Sequence, residues 1–189
     1  MRRFTFLTLL AATTLTVAFA QTDKKKFMTP NAQSPAMDSS VTINGKEIWM
    51  AYHAPSVKGR KIFGGEGALQ KDETNWRAGA DQATFLHTDA ALDLNGVALP
   101  AGEYTLFIAL DKGKWQLVVN KQTGQWGIKR DGTANFDDAN TVGRVAMTMA
   151  KTPALVEQLK WTLSSTGGSK GMLKLEWENV SASVPFTAK

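Results

Sequence analysis

The chain has 189 residues, no cysteine, and 22 Lys and Arg against 17 Asp and Glu. Lack of cysteine excludes disulfides, thiolate nucleophiles and Cys-ligated zinc or iron–sulfur sites. The basic excess sits at the N-terminal end. Setting aside Arg2, Arg3, Asp23, Lys24, Lys25 and Lys26 leaves 17 cations against 16 acids, which gives no net pull on nucleic acid or an acidic membrane.

Residues 1–20 read as an export leader. Arg2 and Arg3 precede the apolar run FTFLTLLAATTLTVAFA, which ends in Ala18-Phe19-Ala20, the small-x-small pattern that signal peptidase cleaves after. Phe6 sits one place too far from the arginines for a twin-arginine signal, so the general secretory route is favoured. The run is too short for a spanning helix. The expectation is a periplasmic or secreted protein with no membrane span. Residues 21–33 are polar and Lys-, Thr- and Gln-rich, the composition of a flexible tail.

Residues 34–189 suffice for one hydrophobic core, and their dominant period is two. VTINGKEIWMAY is two runs joined by Asn44-Gly45, the dipeptide of a type I′ hairpin turn. Its second arm sets Ile48, Met50 and Tyr52 on one face. YTLFIAL groups Tyr104, Leu106, Ile108 and Leu110, and WQLVVN groups Trp115, Leu117 and Val119. VGRVAMTMA, VEQLKWTL, MLKLEW and VSASVPF repeat the pattern, with Leu159, Trp161 and Leu163, then Leu173, Leu175 and Trp177, facing inward. One turn of apolar spacing would allow a short helix over residues 153–158. Many short strands between glycine-rich turns predict an all-β, single-domain antiparallel β-sandwich or open barrel with little helix.

YHAPSVKGRKIFGG places Lys58, Arg60 and Lys61 among glycines. It is no phosphate loop, since Gly65 stands where the P-loop lysine belongs and no helix follows. A dinucleotide fingerprint fails as well, because Gln70 takes the place of the third glycine. What remains is a turn presenting Lys58 and Arg60, a short connection from NWRAGA. There Trp76 and Arg77 pair an aromatic plate with a guanidinium, suited to sugars, carboxylates or other anions. Ordinary structure offers the alternative: Trp76 plugs the sandwich edge and the cations pair with Asp72 or Asp81.

His53 and His87 could each serve a hydrolase, but the chain has neither a G-x-S-x-G elbow nor an H-E-x-x-H pair. RDGTANFDDAN gathers Asp131, Asn135, Asp137, Asp138 and Asn140, oxygen ligands that suit calcium and equally the residues that turns use. Of the six tryptophans, Trp115, Trp161 and Trp177 share faces with aliphatic residues and read as core. Trp49 and Trp126 are the freer candidates for a surface platform.

Taken in order, YHAPSVKGRKIFG, NWRAGADQAT, LPAGEYTLF, VVNKQTGQWG and LKLEWE resemble the blocks of the bacterial DUF2911 family, a domain of unknown function, over residues 34–186. The resemblance implies a bacterial, exported, β-rich domain, and carries no activity, substrate or catalytic residue. The family pattern has serine where this chain has His53, which argues against a family-wide catalytic histidine. It has an acid where this chain has Gln82, which could not act as a general base. Lys58, Arg60, Trp76, Arg77 and Asn120 fall within the shared blocks. They form the candidate ligand site: two cations, a guanidinium fork, a stacking face and a polar anchor. The reading is a non-enzymatic domain that binds a small molecule, a glycan or an envelope protein, with no cofactor or metal. A histidine- or metal-dependent hydrolase and a purely structural module are the alternatives.

Overall fold

Asn44 and Gly45 take φ values of +52° and +74°, so this pair forms the two-residue turn that its chemistry favours. It joins β1 (Ala36–Ile43) to β2 (Lys46–His53), paired from Ile43↔Lys46 to Ala36↔His53. The structure is a computed structural model and describes residues 32–189. The expected leader, and all of the expected tail but its last two residues, lie outside the described residues.

The remaining strands are β3 (Thr74–Trp76), β4 (Ala80–Thr88), β5 (Leu92–Leu94), β6 (Val97–Leu99), β7 (Gly102–Leu110), β8 (Gln116–Asn120), β9 (Thr141–Ala146), β10 (Thr148–Gly167) and β11 (Lys170–Ala188). One 3-10 turn, Asp138–Asn140, is the only helical element among the described residues. No helix among them is long and apolar enough to cross a membrane.

Two antiparallel sheets pack face to face. One runs β1-β2-β4-β7-β8-β9, with β3 also on β7; the other runs β10-β11-β5-β6. The chain crosses between the sheets three times, after β4, after β6 and at Met147 between β9 and β10. No barrel closes, although β1 reaches β10 where the Leu163 N–H donates to Ser39 Oγ at 2.9 Å.

The inward faces are those the alternation predicts. Ile48, Met50, Tyr52, Leu106, Ile108, Leu117, Val119, Leu159, Trp161, Leu173, Leu175, Trp177, Val184 and Phe186 share one core. The sheets are also pinned by a polar contact. Tyr52 Oη accepts from the Trp161 N–H at 3.1 Å and donates to the Trp161 carbonyl at 3.5 Å, which leaves this buried backbone paired.

Two expectations need correction. Trp49 is not a surface residue: it is 1% exposed. Register places it beside His87 on β4, and its ring stacks on His87 at 5.4 Å and meets Phe85 at 5.1 Å. The outer face of this sheet is therefore apolar too, and two-residue alternation cannot tell two buried faces apart. Residues 153–158 form no helix either, but lie within β10. Register slips between Lys151 and Val156 and again before Lys160, so β10 bulges where the proline cannot donate to a ladder. Trp126 is exposed at 47%.

Candidate functional site

The bulge in β10 anchors the loop after β2. The Leu159 N–H donates to the Pro55 carbonyl at 2.9 Å, and the Val57 N–H to the Glu157 carbonyl at 2.7 Å. The Lys58 N–H meets Glu157 Oε1 at 2.9 Å. Beyond this anchor Lys58 and Gly59 both have positive φ, +49° and +68°, and the Arg60 N–H closes on the Val57 carbonyl at 3.0 Å. The reversal is thus a type I′ turn centred on Lys58-Gly59, with Lys58 at its exposed tip. Arg60 folds back over this turn, donating from Nε to the Val57 carbonyl (3.0 Å) and from Nη2 to the Ser56 carbonyl (2.6 Å). The other guanidinium N–H groups are left to the surface.

Opposite this loop runs the segment through β3. Trp76 is 4% exposed; its Nε1 donates to the Gly79 carbonyl at 3.1 Å and its ring stacks on Trp177 at 5.7 Å. It is a wall of the core and not a plate open to a ligand. Arg77 turns outward, donates from Nη1 to the Trp126 carbonyl at 3.1 Å and lies over the Trp126 ring, 5.2 Å from its centroid. Burial lowers the Arg77 pKa, with nearby Asp81 opposing; guanidinium remains charged at neutral pH. Gly127 permits this approach. At φ +87°, a Cβ on it would stand 2.7 Å from the Ala83 Cβ and 2.8 Å from the Arg77 Cβ.

The third wall is the hairpin around residues 128–134, where Ile128 bridges Ala134 and the Lys129 N–H donates to the Thr133 carbonyl. Together these segments enclose a cleft of about 990 Å³. Lys58, Arg60, Trp76 and Arg77, four of the five residues picked from the sequence, line it. So do Lys71 and Lys129, which sequence reasoning missed; Lys71 stands five residues before Trp76, but nothing local marked Lys129. Asn120 lies outside the cleft and is fully buried. Its amide donates to the Asp137 carbonyl (2.9 Å) and Thr141 Oγ1 (3.3 Å), and its Oδ1 accepts from the Gln122 N–H (2.9 Å).

The charges around the cleft are unevenly matched. Glu73, Asp131 and Asp138 also line it, yet Glu73 pairs with Lys112 and Asp138 with Arg144. Asp131 is held by the Thr133 hydroxyl and N–H, which lower its pKa. The five cations make no ion pair among the described residues. The proposed calcium loop is likewise spent on its own geometry. Asp137 caps Ala139 N, and no group of three His, Asp or Glu able to hold a metal occurs among the described residues.

Neither histidine lines the cleft. His87 meets Asp89 Oδ1 at 2.9 Å on the outer sheet face, and His53 is buried with Nε2 unpartnered. Burial lowers the His53 pKa below 6.5, Asp81 opposing and Arg77 adding. The unfolded chain therefore takes up the proton first. The stabilisation is complete above about pH 6.5 and drains away as pH falls towards the folded pKa. His53→Gln should flatten the rise of the urea midpoint between pH 5 and 6.5; a slope equal to the parent's would show that another group sets it.

The model of the family described as "Protein of unknown function (DUF2911)" matches residues 34–186. The chain belongs to the DUF2911 family. No curated protein and no solved structure matches it.

Proposed function

We propose that this DUF2911 protein is an exported binding domain that takes an anionic ligand from the cell envelope into the cleft and catalyses no reaction on it. The observation that carries this reading is the charge imbalance. Lys58, Arg60, Lys71, Arg77 and Lys129 line one cavity, against three acids of which Glu73 and Asp138 are paired with cations outside it and only Asp131 keeps an unpaired charge. Cations held near low-dielectric walls raise the local concentration of anions, and guanidinium groups suit carboxylate and phosphate. Both histidines lie outside the cavity, which favours binding over acid–base chemistry. The arginine-led apolar run ending in Ala18-Phe19-Ala20 supports export.

Thermal unfolding with citrate, phosphate, acidic oligosaccharides and neutral sugars tests this. Anions at about a hundred times their Kd should add about 2.7 kcal/mol to the native state, and added salt should erode the gain. The double variant Lys58→Glu, Lys129→Glu should lose this shift while its ligand-free Tm stays within about 3 °C, as for other exposed changes. Equal shifts from neutral sugars, or an undiminished shift in the double variant, would refute the reading.

A further inference from the structure

The edge of strand β7 away from β8 is shared between two partners. Its residues 102–106 pair with β4, whereas residues 108–110 pair with β3. β3 has β7 on one side and, among the described residues, no strand on the other. The natural occupant of that place would be β2, but β2 meets β4 only as far as His53↔Ala80. It then leaves the sheet at Pro55 to bond with β10. The place left beside β3 opens on the cleft, which Thr74, Asn75 and Trp76 line together with Ser34, Pro55 and Ser56.

We propose that the ligand is an extended acidic peptide that adds as a further antiparallel or parallel strand along the open edge of β3; this rests on reading the cleft as an anion site. A strand edge presents N–H and C=O groups in a row, a template that a polypeptide can match along its length and a sugar or inorganic anion cannot. Residues 74–77 follow one another along this wall, room for roughly 13 Å of extended chain at about 3.3 Å per residue. Glu73 at φ +62° and Ala78 at φ +58° bracket β3, so the protein's own chain turns away at both ends. Charge selects the partner. Lys71 and Arg77 flank β3, with Lys58 and Lys129 also lining the cleft, so a second copy of the same edge would bring like charges together, whereas an acidic strand is attracted.

The test compares three ligands of equal charge on the intact protein: a capped octaglutamate, its fully N-methylated counterpart, and an octamer of galacturonate. Titration calorimetry at low salt should show octaglutamate binding at least tenfold more tightly than the other two. Hydrogen exchange at residues 74–77 should slow at least tenfold when it binds. Equal affinity for all three, or binding that leaves those amides unprotected, overturns strand addition while the anion site survives. Binding by none of them overturns both.

Discussion

Trp177→Ala should lower the free energy of unfolding by about 3–5 kcal/mol, the cost of emptying a large buried aromatic site. Trp177 is fully buried, stacks on Trp76 and meets Phe63 edge-on at 5.7 Å. A finer comparison separates packing from hydrogen bonding. Trp76→Phe and Trp177→Phe remove the same volume, yet Trp76 Nε1 donates to the Gly79 carbonyl whereas Trp177 Nε1 has no partner. Deleting the first leaves a buried carbonyl short of a donor; deleting the second removes an unpaired buried donor. Urea titration should therefore rank Trp76→Phe as the more damaging by about 1 kcal/mol. The reverse order would mean that the Trp177 N–H is satisfied in solution.

Asn120→Ala should cost about 2–4 kcal/mol, because three hydrogen bonds vanish and buried backbone groups lose their partner. Those bonds tie the end of β8 to Gln122, Asp137 and Thr141, the two ends of the segment that carries Lys129. The variant should also bind anions more weakly, through a loosened third wall. A change within about 0.5 kcal/mol, the range of an ordinary surface substitution, would return Asn120 to the role of ligand anchor.

The fold was legible because each long strand buries one face against the partner sheet. Leu106, Leu117 and Leu175 could be placed inward from alternation alone, and Asn44-Gly45 announced its own turn. Trp49 escaped because the second face of its sheet is also covered, which a period of two does not register. Pro153 lies in a bulged stretch of β10 that also bonds to the distant Pro55 loop, a contact that alternation does not register. The candidate cleft was legible in part, for a related reason. Lys58, Arg60, Trp76 and Arg77 lie close in sequence to the loops that form two walls. Lys129 reaches the cleft only through the docking of its hairpin across the sheet. Side-chain burial decided what residue type could not: Trp76 and Asn120 carry the chemistry of ligand contacts and spend it on the fold.

We propose that anions enter the cleft between the Lys58 turn, β3 and the Lys129 hairpin. Amide and indole NMR shifts of the labelled protein, followed during titration with octaglutamate, test it most directly. Changes should concentrate at residues 56–60, 70–80 and 128–134 and be lost in the Lys58→Glu, Lys129→Glu variant. Shifts centred instead on the His87 and Asp89 face, or a spectrum that does not change, would contradict it.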